Sequence, residues 1–270
     1  MPSWIGMRHY AHMFSLTILL VLVGLLAGVL AGLFGIGGGL VIVPALTFIL
    51  LAQGLAPEWV VPSAIATSLG SMLLTSLSAV WAHHKKIGTD QRTLWQVAPT
   101  VMVGGVVGAW LTTRLPTVLI GLFFTGLVSV IGLRMLLALT PKEGERKPQP
   151  RGILWAGPII GAGSAMVGIG GGSLLVPYLT WNGYRTVQAI ALASASGWLL
   201  ALAGTMGFVF AGPNYLNLTH ILIIGVAGWV SAPLGVALAH RLSAPRLRRL
   251  FGLMLVAVAF RMLWQIHTST

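Results

Sequence analysis

Apolar residues along the chain fall into long, unalternated runs rather than the one-faced or alternating patterns of a water-facing fold. Five runs precede the polar stretch TPKEGERKPQPRG, Thr140 to Gly152, and five follow it. The first five cover roughly 13–34, 39–53, 61–82, 94–113 and 117–139. The second five cover roughly 153–167, 172–182, 187–210, 218–240 and 247–265. A helical bilayer crossing needs about 20 residues. The runs at 39–53 and 172–182 fall short of that, and 153–167 is marginal. The remaining runs are too long and too continuous for the strands of a membrane barrel. The pattern predicts an all-α polytopic membrane protein with two short segments that break or re-enter.

Each short run follows a glycine block. GLFGIGGGLVIVP occupies Gly32 to Pro44, and GIGGG returns at Gly168 to Gly172. Gly35, Gly37, Gly38, Gly39 and Pro44 match Gly168, Gly170, Gly171, Gly172 and Pro177 at a constant offset of 133. Further on the offset becomes 127: ATSLG at 66–70 faces ASASG at 193–197, TRLP at 113–116 faces HRLS at 240–243, and RML at 134–136 faces RML at 261–263. The change of six is a shorter loop in the second copy. The chain thus reads as a duplication, with a first transmembrane repeat at 1–139, a polar linker at 140–152 and a second repeat at 153–270. A signal peptide at Phe14–Leu33 is set aside because that run has a mid-chain counterpart.

Composition agrees with a membrane setting. Charged residues make up 7% of the chain and mean hydropathy is +0.91, whereas soluble domains carry about 25% charged residues. No cysteine is present, which excludes disulfides, thiolate metal sites and thiol-redox chemistry. A net charge of +12 would suggest nucleic acid in a soluble protein. Here it sets orientation, and no nucleic-acid partner is expected. An odd number of crossings per repeat inverts the second repeat. It places Lys85, Lys86, Arg92, Lys142, Arg146, Lys147, Arg151, Arg185, Arg241, Arg246, Arg248 and Arg249 on one face, and Arg8 and Arg114 on the other. The positive-inside rule then favours inverted repeats with the basic face cytoplasmic. Thr89 falls on that face and Asn214, its counterpart, on the opposite one.

Two inverted repeats, each with a glycine-broken helix followed by a short helix, form a transporter signature. Glycine lets the backbone turn and approach a ligand, and the helix that follows presents free N–H groups and the positive end of its dipole to an anion. The candidate substrate-binding residues are Gly37, Gly38, Gly39, Thr67, Ser68, Gly170, Gly171, Gly172, Ser173, Ser194 and Ser196. Two blander readings compete. Glycines permit close helix contact in membranes, and a mid-helix hydroxyl often bonds back to its own helix. A nucleotide loop does not fit, since no strand precedes GIGGG and no Gly-Lys-Ser/Thr ending follows it.

Only four acidic residues exist, Glu58, Asp90, Glu143 and Glu145, all expected in loops. No carboxylate is placed in the membrane to bind a cation or relay protons. Arg134 and Arg261 lie inside apolar runs near helix ends, where their stems can snorkel to the interface. Arg114 and Arg241 read as helix-end anchors, His83–Lys86 as a basic loop, and His220 and His240 as interfacial. Ten tryptophans suit interface belts. No nucleophile–base–acid set appears, so no enzyme, catalytic residue, cofactor or metal is expected.

GLFGIGGGLVIVPAL at 32–46, ATSL at 66–69, GIGGGSLLVPYL at 168–179 and the paired RML segments resemble the sulfite exporter TauE/SafE family of membrane transporters, over essentially the whole chain. The resemblance implies export of a small oxyanion such as sulfite or an organosulfonate across the bacterial inner membrane. The partners expected are that anion and the lipid bilayer, with a homo-oligomer left open. Import of a sulfonate or another organic acid, and a non-transporting scaffold subunit, are the alternatives.

Overall fold

The structure is a computed structural model that describes residues 3–87, 90–137 and 152–243, with a discontinuous set between 245 and 260. The described residues form helices without strands. They are α1 (Ser3–Phe34), α2 (Gly39–Ala52), α3 (Pro57–Ile87), α4 (Gln91–Thr112), α5 (Thr117–Leu136), α6 (Ile153–Met166), α7 (Gly172–Trp181), α8 (Thr186–Ala211) and α9 (Leu218–Arg241). A single 3-10 turn, Pro213–Tyr215, joins α8 to α9. Among the described residues five helices have stretches long and apolar enough to cross a membrane: Phe14–Phe34, Glu58–Lys86, Gln91–Thr112, Thr186–Ala211 and Leu218–Arg241. At about 1.5 Å rise per residue, neither α2, with 14 residues, nor α7, with 10, can reach across.

Helices α3 and α8 are the most buried of the long helices and lie against one another. Trp198 Nε1 on α8 donates to the carbonyl of Leu73 on α3 at 3.0 Å, and Gly204 on α8 seats the side chain of Leu69. Position 73 meets 198 and position 69 meets 204, so the two helices run antiparallel. On either side of this pair the glycines set close parallel contacts. Gly24 on α1 lies against Ile224 and Ala227 on α9, and Gly28 lies against Gly228 and Ser231. Gly157 on α6 lies against Thr100 on α4, and Gly161 lies against Val101. These contacts are equivalent under the two sequence offsets: Gly24 corresponds to Gly157 and Ala227 to Thr100, while Gly28 corresponds to Gly161 and Gly228 to Val101. Helices α1, α3 and α9 run one way, and α4, α6 and α8 run the other. Lys85, Lys86, Arg92, Arg185 and Arg241 therefore gather at one end of the bundle, while Arg114 stands at the opposite end with the α8–α9 turn.

The long helices begin with equivalent caps. The Asp90 carboxylate accepts from Thr93 N at 3.2 Å to start α4, and the Asn217 side chain accepts from His220 N at 3.0 Å to start α9. Asp90 and Asn217 are 127 residues apart, so the cap is repeated with the halves. At α4 it extends into a buried relay. Because the carboxylate only accepts, the Thr93 hydroxyl donates to Asp90 Oδ2 at 2.6 Å, and the Tyr184 hydroxyl donates to Thr93 Oγ1 at 2.8 Å. Burial holds the Tyr184 phenol above its ordinary range, the Thr93 hydrogen bond opposes this, and the Asp90 charge adds to it. Tyr184 stays a neutral donor and ties the α7–α8 turn to the start of α4.

Three expectations are revised. Glu58 lies in the first turn of α3 rather than in a loop, because α3 begins at Pro57, where proline's fixed φ suits a helix start. His83 to Lys86 form the last turn of the same helix rather than a loop, and His83 is buried. His220, in the first turn of α9, is buried rather than interfacial. The final apolar run at 247–265 is described only in part. Thr89, Glu143, Glu145, Arg261, residues 140–151 and the side chain of Arg134 lie outside the described residues.

Removing the Asp90 cap should cost about 1 kcal/mol. Asp90→Ala is expected to lower the thermal unfolding midpoint of the detergent-purified protein, while Asp90→Asn, which keeps an accepting oxygen, stays near the parent. Equal midpoints for all three would remove the relay from the account of stability.

Candidate functional site

Both glycine blocks form breaks between helices. After α1 ends at Phe34, Gly35, Gly37 and Gly38 take φ values of 71°, 68° and 88°, a left-handed geometry that costs other residues dearly. Gly38 is then the N-cap of α2. After α6, Gly168 takes φ 65°, and Gly171, in ordinary right-handed geometry at φ −49°, is the N-cap of α7.

The two breaks meet. Gly170 N donates to the Ile36 carbonyl at 3.0 Å. A Cβ on Gly170 would fall on that same carbonyl, one on Gly172 on the Gly35 carbonyl, and one on Gly39 on the Gly168 carbonyl. Three glycines of the blocks are thus required by the opposite break. Helix α3 holds both from the side: Ser68 Oγ donates to the Gly168 carbonyl at 2.9 Å, and Thr75 Oγ1 donates to the Gly37 carbonyl at 2.8 Å. Residues 68 and 75 bracket the midpoint of α3, which puts the junction halfway along the longest buried helix.

Gly171 differs from its neighbours. Its φ is negative, and a Cβ there would meet nothing nearer than Leu200 Cδ2 at 3.5 Å, an ordinary contact. The α7 helix that it opens has no side-chain cap, and neither does α2. First-turn amides without caps carry the helix dipole's positive charge. The candidate hydroxyls divide into four groups. Ser194 Oγ bonds back to the Ile190 carbonyl at 2.9 Å, and Ser173 Oγ reaches the Gly170 carbonyl at 3.5 Å; these two are spent locally. Ser68 braces the second break. Thr67 Oγ1 accepts from Asn217 N at 3.3 Å. Ser196 Oγ is buried and has no hydrogen-bond partner among the described residues, and the same holds for Ser164 Oγ on α6. Ser196 adjoins Gly197, whose α-carbon faces Gly171.

A cavity of about 590 Å³ opens at the end of the bundle away from the basic residues. Its polar lining is Gln53, Ser63, Thr67, Asn214, Asn217 and Thr219, with Tyr215 at its edge. Thr67, the one expected site residue in the lining, is buried and directly precedes Ser68, which holds the second break. A second cavity of about 460 Å³ at the same end is bordered by Glu58, Thr112, Arg114 and Tyr215. Thr112 Oγ1 also reaches the Met166 carbonyl at 3.4 Å, just before the second break. Arg114 is exposed, with its guanidinium 5.7 Å from the Trp110 ring centre. The lining residues not foreseen as site residues in the sequence are Gln53, Ser63, Asn214, Tyr215, Asn217 and Thr219. A signal for Asn217 existed, since it matches Asp90 at the 127 offset and both start long apolar helices.

A family model described as Sulfite exporter TauE/SafE matches residues 20–262. A probable membrane transporter protein of Haemophilus influenzae is 31% identical over 261 residues, covering 93% of this chain and 99% of the relative. Relatives of the same description from Methanocaldococcus jannaschii and Bacillus subtilis are 26% and 24% identical. They cover 85% and 92% of this chain, and 89% and 97% of their own lengths. No solved structure matches the chain.

The contrast between adjacent glycines yields a test. Gly172→Ala and Gly39→Ala drive a methyl group into an opposing carbonyl and should sharply reduce the yield of monodisperse protein. Gly171→Ala should fold, with stability within about 1 kcal/mol of the parent; if an anion binds at the uncapped first turn of α7, sulfite used as the probe should lose affinity by about tenfold or more, because the methyl crowds that turn. Parent-like sulfite binding by Gly171→Ala removes that helix start from the site. Parent-like stability of Gly172→Ala removes the break-to-break contact as the reason for glycine there.

Proposed function

Because the chain belongs to the sulfite exporter TauE/SafE family, we propose that it exports a small oxyanion, sulfite or an organosulfonate, across the bacterial inner membrane. The observation that carries this reading is the junction itself: two uncapped helix starts brought together at mid-helix depth, with a polar cavity reaching Thr67 beside it. The positive ends of α2 and α7 favour an anion. Neutral amide and hydroxyl donors at the cavity suit an oxyanion, which accepts hydrogen bonds from many directions. Among the described residues the acidic ones, Glu58 and Asp90, sit at helix starts rather than at the junction, so nothing there favours a cation.

In this reading the halves are inverted repeats. The motivation is that α1, α3 and α4 run opposite to their counterparts α6, α8 and α9, and that the α1–α9 and α4–α6 contacts exchange with the halves. The end holding Lys85, Lys86, Arg92, Arg185 and Arg241 faces the cytoplasm, and the 590 Å³ cavity opens to the outside. The substrate sits where the breaks meet, against Gly37 to Gly39, Gly170 to Gly172 and Ser196, with Thr67 at the outer approach. An anion leaving a cell that is negative inside gains about 2.3 kcal/mol per charge per 100 mV, which is enough to drive export without a coupling ion.

The test is flux of labelled sulfite from liposomes loaded with the anion and holding a defined membrane voltage. Export predicts efflux that rises when the cytoplasmic side is negative. Transport solely in the opposite direction supports import, and no flux of sulfite, a sulfonate or a carboxylate supports a scaffold. Orientation is read separately in cells. Because the chain lacks cysteine, Asn214→Cys should react with an impermeant thiol reagent from outside, and Arg185→Cys should not. Equal labelling of both contradicts the orientation.

A further inference from the structure

Two histidines belong to neither the junction nor the outer cavity. His83 on α3 and His240 on α9 meet at the basic end, with ring centres 5.5 Å apart. The break after α1 is what engages His83. A helix end leaves its last carbonyls without intrahelical partners. Ala31 O is taken by Gly35 N at 2.8 Å, and Gly32 O is taken by His83 Nε2 at 3.0 Å. A carbonyl can only accept, so the proton lies on Nε2 and the neutral ring keeps a bare lone pair on Nδ1. That Nδ1 is buried and has no partner among the described residues, and neither has His240 Nε2. A buried lone pair without a donor is costly, and this one lies beside a second buried ring nitrogen, His240 Nε2, that has no partner among the described residues.

We propose that His83 and His240 form a proton-binding site, taking up one proton per pair, and that this proton is coupled to anion movement through the first break. The proton comes from the aqueous phase at the basic end and binds the bare Nδ1 of His83 or the basic nitrogen of His240, giving an imidazolium beside its neutral partner. A cation at this place is also favoured by the negative end of the α1 dipole. His83 caps α1 three residues before Gly35, so any rearrangement of the break that moves the Gly32 carbonyl moves the ring. Lys86 on α3 is the charged group that acts on both rings; His84, Lys85 and Arg241 are their neighbours along α3 and α9, while α1 between Phe14 and Phe34 has no titratable side chain. Lys85 stacks on Trp81 at 3.5 Å. Asp90 is held by Thr93 and Glu58 lies at the far end. Among the described residues of the core, the groups able to carry a proton are these two imidazoles and His220 at the start of α9, and of the three His83 is the one bonded beside a break.

The proton site stands on its own geometry, and its coupling to flux rests on the transport reading, so two measurements are paired. Full-length protein with ¹⁵N-labelled histidine is titrated in detergent, with signals assigned by their loss in His83→Gln and His240→Gln. Both rings should titrate, and loss of either should move the other's midpoint by about half a unit or more. A silent ring, or independent midpoints, overturns the site. In liposomes at zero voltage, a pH gradient should drive labelled sulfite through the parent, and His240→Gln should keep voltage-driven flux but lose the pH drive. Titrating rings with gradient-insensitive flux overturn the coupling. Absence of any anion flux by the parent overturns the transport reading and the coupling with it, while the titration still decides the site.

Discussion

The structure depends on how two interrupted helices satisfy their backbone in the middle of a membrane. Unpaired N–H and C=O groups in hydrocarbon cost several kcal/mol each, so irregular backbone survives there only inside protein. The breaks at Gly35–Gly38 and Gly168–Gly171 solve this against each other and against α3. Ile36 O takes Gly170 N, Gly168 O takes Ser68 Oγ, and Gly37 O takes Thr75 Oγ1. The approach is too close for side chains, which is why glycine recurs at 39, 170 and 172. Three carbonyls of the breaks are thereby occupied, and the starts of α2 and α7 have no side-chain cap to offset their positive potential.

Everything around the junction serves to hold it. The short helices cannot span the bilayer and are held in place by the antiparallel α3–α8 pair, itself flanked by α1 on α9 and α6 on α4. Glycine seams at 24 and 28, and at 157 and 161, bring these flanking helices to backbone distance. In α9 a proline frees a carbonyl that another side chain then takes. Pro233 cannot donate to the Trp229 carbonyl, and Ser78 Oγ donates to it at 2.8 Å instead. The same economy appears at the basic end, where the carbonyl left by the first break is met by a histidine.

Much of the architecture was legible because hydrophobic length and an internal repeat are strong signals. The helix limits at 39–52, 117–136, 172–181 and 218–241 lie within a few residues of the apolar runs. The start of α3 was not, since Glu58 read as a loop residue while lying in the first turn of a long helix. Within the site, the glycine blocks announced themselves, but sequence could not separate three kinds of glycine. Gly37 and Gly38 are needed for their φ, Gly39, Gly170 and Gly172 for the opposite carbonyl, and Gly171 for neither. Hydroxyls were equally ambiguous: Ser194 and Ser196 are two residues apart on one helix, yet one bonds to its own backbone and the other has no partner. Asn214, Tyr215 and Asn217 escaped notice because a cavity lining is assembled by tertiary contact. His83 escaped because its partner, Gly32 O, is 51 residues away.

The central claim is that the anion lies at the junction, against the first turn of α7. Selenite is an oxyanion of sulfite's shape whose selenium scatters anomalously, so a crystal of the protein soaked with it reports the position directly. The account predicts a selenium peak within hydrogen-bond reach of the amides following Gly171, close to Ser196. A peak confined to Arg114 at the outer end, or density at the junction indistinguishable from that of a crystal without selenite, contradicts it.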